Sequence, residues 1–111
     1  MKVLVCGGRD YANLDAVMIA IRKLSPRPSH IIHGSAMGAD ALAGEAAAKL
    51  GIQDVRCPAN WGLHGRRAGP IRNHNMLELH PDLVLAFPGG NGTAHMCKIA
   101  RQRGIQVRRC G

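Results

Sequence analysis

Leu83-Val84-Leu85-Ala86-Phe87-Pro88-Gly89-Gly90-Asn91-Gly92-Thr93 is the stretch that decides the fold. Five apolar residues run together without polar alternation, the pattern of a strand buried on both faces. Such a strand belongs to a parallel sheet with helices on either side. The run breaks at Pro88, and Gly89, Gly90 and Gly92 mark a loop. Behind it the spacing predicts a helix from Thr93 to Arg103, closed by Gly104. The stretch is therefore a strand, a glycine-rich turn and a helix start.

The same unit recurs upstream. Val3 to Cys6 reads as a buried strand that ends at Gly7-Gly8. Leu14, Val17, Met18, Ile21 and Leu24 then follow helical spacing, with Asn13 as N-cap and Pro26 and Pro28 as the stop. His30 to His33 reads as the second strand and Gly34 to Gly38 as a loop. The next helix carries Ala39, Leu42, Ala43, Ala46, Ala47 and Leu50 on one face, with Gly51 at its C-terminal end. Ile52 to Cys57 is the third strand, and residues 58–69 are expected to form the longest loop. A helix is expected from near Pro70 to about Leu79, and a fifth strand from Ile105 to Arg109. The alternation predicts the α/β class, a Rossmann-like three-layer sandwich. Its parallel five-stranded sheet has the order 3-2-1-4-5, within one domain spanning 1–111.

Composition narrows the partners. Fifteen Lys and Arg oppose seven Asp and Glu, a formal charge of +8, which suits an anionic ligand or nucleic acid. A merely basic, soluble surface explains the charge equally well. Four cysteines lack paired spacing, so they read as reduced small hydrophobes, and no metal site is expected. No cofactor is implied. No secretory signal or membrane span is visible, so a cytoplasmic location without membrane contact is expected. The last strand leaves an open edge, which points to a homodimer or higher homo-oligomer.

In a sheet of this order, ligands sit at the carboxyl ends of the strands where the winding reverses, here between strands 1 and 4. Three glycine-rich loops meet there: Gly7-Gly8-Arg9-Asp10, Gly34-Ser35-Ala36-Met37-Gly38-Ala39-Asp40, and Pro88 to Thr93. Glycine permits close backbone approach, and N–H groups at a helix start attract an anion. Neither a P-loop Lys nor a G-x-G-x-x-G fingerprint is present. Arg9, Arg66, Arg67 and Arg72 surround the crevice as phosphate ligands or as a solvated face. Asp10 and Asp40 read as ribose ligands or as helix caps. Trp61 and Tyr11 read as base-stacking groups or as core plugs. His64, His74 and His95 read as surface or structural residues or as general bases, and His95, one turn from the phosphate loop, is the best candidate base among them. Lys98, Arg101, Arg103, Arg108 and Arg109 read as a nucleic-acid contact or as a charged edge.

The first loop with Tyr11, Gly34 to Asp40, Arg66 to Asn73, and Pro88 to Thr93 resemble the YspA/YpsA-related branch of the SLOG superfamily. That superfamily includes the LOG-type phosphoribohydrolases and the DNA-processing protein A family. The resemblance spans nearly the whole chain, and Pro-Gly-Gly-x-Gly-Thr is its most specific motif. It implies a Rossmann-like fold and a pocket for nucleotides or their derivatives. LOG-type enzymes continue the motif with x-x-Glu, a carboxylate that assists N-glycosidic cleavage. Met96 stands at that position here, and a thioether cannot serve as acid or base. Arg72 resembles the arginine that those enzymes supply from the preceding helix.

Three function classes follow. The first is a sensor or sequestering module for a nucleotide-derived ligand, such as an ADP-ribose-like or cyclic species. The second is a hydrolase of the phosphoribohydrolase type, with Asp10, Arg72 and His95 as catalytic candidates and Met96 against it. The third is a nucleic-acid-binding module. The phosphate-binding set expected for the first is Gly7, Gly8, Arg9, Asp10, Tyr11, Gly34, Ser35, Ala36, Gly38, Asp40, Trp61, Arg66, Arg72, Asn73, Pro88, Gly89, Gly90, Asn91, Gly92 and Thr93.

Overall fold

The computed structural model describes residues 1–111. Five strands, β1 (Lys2–Cys6), β2 (His30–His33), β3 (Gln53–Arg56), β4 (Leu83–Ala86) and β5 (Gln106–Arg109), form one parallel sheet. Their order is β3-β2-β1-β4-β5, as the alternation predicts. Five helices connect or flank them: α1 (Leu14–Arg22), α2 (Ala39–Leu50), α3 (Trp61–His64), α4 (Ala68–Leu77) and α5 (Asn91–Gln102).

Strand alternation sorts the core into two halves. Val3, Val5, Ile31, Leu83 and Leu85 meet Val17 and Ile21 of α1 and four alanines of α2. Leu4, Cys6, Ile32, Val84 and Ala86 point the other way, onto Met76 and Leu77 of α4 and Met96, Cys97, Ile99 and Ala100 of α5. Helices thus cover both faces, and the alanine face of α2 permits a close approach to the sheet. The outer strands β3 and β5 carry exposed Gln53, Arg56, Gln106, Arg108 and Arg109, which discourage edge pairing. No helix is long and apolar enough to cross a membrane.

Local signals explain the helix ends. Asn13 Oδ1 accepts the Ala16 N–H at 3.0 Å, so Asn13, and not Asp10, caps α1. Gly51 closes α2 in the left-handed conformation at φ 68°. Gly38 is the N-cap of α2 and Asp40 makes no capping bond, contrary to the capping expectation for Asp40.

The largest departure is at 58–69. Instead of a long loop, α3 and a 3₁₀ turn at Gly65–Arg67 run directly into α4. Asn60 nucleates this segment by accepting the Leu63 N–H at 3.0 Å. Helix α4 begins at Ala68, two residues before Pro70, because the first turn needs no N–H donors and tolerates proline. Likewise α5 begins at Asn91, which places Thr93 inside its first turn.

Candidate functional site

A cleft of about 900 Å³ opens over the carboxyl ends of β1 and β4, at the winding reversal. The three glycine-rich loops all reach it, but they contribute different things.

The β1 loop is committed to packing. A Cβ on Gly7 would stand 2.6 Å from the Ala39 Cβ, and one on Gly8 would stand 3.0 Å from the Pro88 carbonyl. The Gly8 N–H donates to Pro88 O at 2.8 Å, and Gly8 O accepts from Tyr11 and Ala39. Glycine is required here for the approach of one backbone to another.

The loop after β2 is a prebuilt wall. Arg72 Nη1 donates to Gly34 O at 2.6 Å. The Ser35 N–H donates to His33 Nδ1 at 3.0 Å, and the Ala36 N–H donates to Asp40 Oδ2 at 3.2 Å. Three consecutive backbone groups are thus each held by a different side chain. Ser35 sits at φ 59°, a strained left-handed conformation that this bracing holds in place. His33 is itself buried, with Nε2 2.5 Å from Asp54 Oδ1, so Nε2 carries the proton and Nδ1 accepts. Asp54 remains below the ordinary carboxylate range: partial burial raises it, but Arg56 and His33 lower it further. Neither the Ser35 nor the Ala36 N–H is left over for an anion.

The first turn of α5 is different. Its N-cap, Gly90, offers no side-chain bond, and a Cβ on Gly90 or Gly92 would meet nothing within 4 Å. The N–H groups of Asn91, Gly92 and Thr93 have no intrahelical partner, as at any helix start. Backbone donors and the positive end of the dipole therefore face an open cleft.

Helix α4 ties these two walls together through Arg72 and Asn73. Arg72 Nε donates to Asn73 Oδ1 at 3.1 Å, which fixes the amide orientation. Asn73 Nδ2 then donates to Gly92 O at 3.3 Å and to His95 Nδ1 at 3.1 Å. His95 is consequently the tautomer with its proton on Nε2. Burial, then His74 and Lys98, hold its pKa below the ordinary imidazole value. With Nδ1 occupied, His95 offers the cleft a donor, not a base, which weakens it as a substitute for the missing carboxylate. Arg72 lines the cleft, and its bonds to Asn73 and Gly34 use Nε and Nη1.

Asp40 is the only carboxylate lining the cleft. Burial raises its pKa above the ordinary value, against the lowering by the Ala36 N–H and the Arg72 charge. Met96 is fully buried among the α4 and α5 core residues and also borders the cleft, where its thioether offers no charge.

Of the residues expected from the sequence, the cleft is lined by Gly7, Gly8, Arg9, Gly34, Ser35, Ala36, Asp40, Trp61, Arg72, Asn73, Gly90, Asn91, Gly92, Thr93 and His95. Asp10, Tyr11, Gly38, Arg66, Pro88 and Gly89 are outside the lining. Asp10 and Arg66 are exposed. Tyr11 packs on Phe87, ring centroids 5.2 Å apart. Gly38 turns against Gly8 and Arg9 at φ 73°, and Gly89 against Gly7 and Gly8. Cys6, Met37, Pro58, Ala59, Gly69, Pro70, Met76 and Met96 also line the cleft, although none was expected as a ligand contact. The proline at 70 and the helical spacing of Gly69, Asn73 and Met76 were the available signals.

A family model described as YAcAr, the YspA, cpYpsA-related SLOG family, matches residues 1–64. The Gene 61 protein of Mycobacterium phage D29 is 33% identical over 116 residues, covering 96% of this chain and 93% of that protein. The X-ray structure of DNA processing protein A from Streptococcus pneumoniae superposes with a TM-score of 0.79 at 20% identity. That match covers 97% of this chain and 49% of the other, so this chain spans about half its length, and the likeness concerns the fold. With a family match over more than half of the sequence and a relative one-third identical along nearly all of it, the chain belongs to the YspA, cpYpsA-related SLOG family.

Proposed function

We propose that this protein binds a phosphate-bearing nucleotide or nucleotide-derived ligand, with a phosphate seated on the first turn of α5. The observation that carries the reading is the open turn itself. Gly90, Asn91, Gly92 and Thr93 face a large cleft, Gly90 and Gly92 have unfilled space where a Cβ would stand, and no side chain caps the helix. Arg72 and Arg9 add positive charge to the same cleft, and Arg suits bidentate phosphate contact. Family membership supports a nucleotide-related role. Met96 and the occupied Nδ1 of His95 favour binding over hydrolysis.

The test is ligand identity and fate. Purified protein is incubated with nucleotides, NAD, ADP-ribose and cyclic nucleotides, washed by ultrafiltration, denatured and read by mass spectrometry. One phosphate-bearing compound recovered intact supports the reading. Release of free base or a shorter phosphate would establish the hydrolase alternative, with Asp40 as the nearest carboxylate. Retention of nothing would contradict small-molecule binding.

A nucleic-acid reading is favoured by a separate feature, the exposed Lys98, Arg101, Arg108 and Arg109 on α5 and β5. It requires an affinity for DNA or RNA that falls steeply with salt.

A further inference from the structure

Trp61 is the chain's sole tryptophan, yet it is 51% exposed, and Met37 is 72% exposed. Both line the cleft. Large apolar side chains left in water at a cleft mouth mark a contact surface. Trp61 is also held in place. It opens α3, whose start is pinned by Asn60 Oδ1 on the Leu63 N–H and by Asn60 O on the His64 N–H at 3.0 Å. Its ring edge, Cη2, lies 3.5 Å from where a Cβ would stand on Gly69.

Gly69 and Asn73 share one face of α4, four residues or about 6 Å apart along the axis. Asn73 bonds Gly92 O in the first turn of α5. The indole edge therefore lies beside α4 one helical turn from Asn73, the residue that contacts the phosphate-binding turn. Arg72 and Asn73 give the cleft polar side chains on α4, and Met37, Pro58 and Ala59 add apolar lining beside that of Trp61. One cleft that holds both an exposed aromatic side chain and an anion-binding helix start offers the two kinds of contact that a nucleotide needs.

We infer that Trp61 is the stacking platform for the ligand's nucleobase, with Met37, Pro58 and Ala59 completing an apolar base subsite. The inference rests on the phosphate reading above and adds a second point of attachment to it. The four side chains of this subsite offer one polar group between them, the indole N–H. Base preference then follows stacking area, purine over pyrimidine, more than any hydrogen-bond pattern.

The test uses the full chain with three probes: adenosine 5′-monophosphate, uridine 5′-monophosphate and ribose 5-phosphate. Binding is read by calorimetry and by the fluorescence of Trp61. All three are expected to bind, with quenching by the two nucleotides but not by ribose 5-phosphate, and with the adenine nucleotide tightest. Trp61→Ala should weaken the adenine nucleotide by roughly 5- to 150-fold and leave ribose 5-phosphate unchanged, with a folded protein whose melting temperature falls only by the loss of the ring's contact with α4. Trp61→Phe should retain most of the affinity. Equal losses for nucleotide and sugar phosphate in Trp61→Ala, or no quenching on saturation, would overturn the base subsite while leaving the phosphate site standing. Failure of all three probes to bind would overturn both.

Discussion

Asn73→Ala tests the tie between the two walls of the cleft. Asn73 is buried and makes three bonds, one from the Arg72 guanidinium and one each to Gly92 O and His95 Nδ1. The bond to the charged group contributes about 1.5–3 kcal/mol and each neutral one about 1 kcal/mol. Gly92 is exposed and His95 half-buried, so water replaces part of the neutral contribution. The net loss is roughly 2–4 kcal/mol. For a domain of this size that lowers the melting temperature by about 8–16 °C, measured by calorimetry or circular dichroism. Asn73→Asp separates the contacts further. It preserves the acceptor for Arg72 Nε but places a carboxylate oxygen against Gly92 O and His95 Nδ1. His95 should then gain a proton, so its pKa moves up from its lowered value instead of staying below the ordinary one. Proton NMR titration of the His95 ring reads this directly. A melting temperature within about 2 °C of wild type for Asn73→Ala, or an unmoved His95 titration in Asn73→Asp, would refute the network.

Further predictions follow from the different uses of the glycines and from Asp40. Gly92→Ala should raise the melting temperature, since alanine is favoured by up to about 1 kcal/mol in a helix and nothing occupies its Cβ space, while weakening phosphate binding measured by calorimetry. Gly7→Ala should do the opposite to stability, costing about 1–3 kcal/mol in denaturant melts through its clash with Ala39. Asp40 has a folded pKa above its unfolded 3.8, so the native state holds that proton more tightly. Its contribution is most favourable at low pH and declines as pH rises from about 3.8 through the folded value. Asp40→Asn keeps an acceptor for the Ala36 N–H, and thermal melts should show a gain over wild type at pH 7 that disappears at pH 3.

The central strands were readable because continuous apolar runs such as Val3 to Cys6 and Leu83 to Phe87 encode a sheet buried on both faces, and the order followed from the alternation of strands and helices. The caps Asn13 and Gly51 were readable from their residue types, an amide that accepts an N–H and a glycine that takes the left-handed conformation. The segment 58–69 was not, because its helices have no apolar stripe: Trp61, Leu63, Arg66 and Arg67 are all exposed. Asn60 was the one signal there. The position of the crevice came from topology, but the division of labour among its loops did not. Gly7 and Gly90 look alike in sequence, yet one is filled against Ala39 and the other faces open space. That difference depends on contacts between distant residues. The Arg72 bond to Gly34 spans 38 residues, and the Asn73 bond to Gly92 spans 19.

The central claim is that the first turn of α5 receives the ligand's phosphate. Backbone amide NMR of the labelled protein, titrated with ribose 5-phosphate, tests it most directly. The account predicts that the largest shifts fall on the N–H groups of Asn91, Gly92 and Thr93, while those of Gly8, Ser35 and Ala36, already bonded within the protein, move little. Shifts concentrated on Ser35 and Ala36, or on the β5 edge at Arg108 and Arg109, would contradict it.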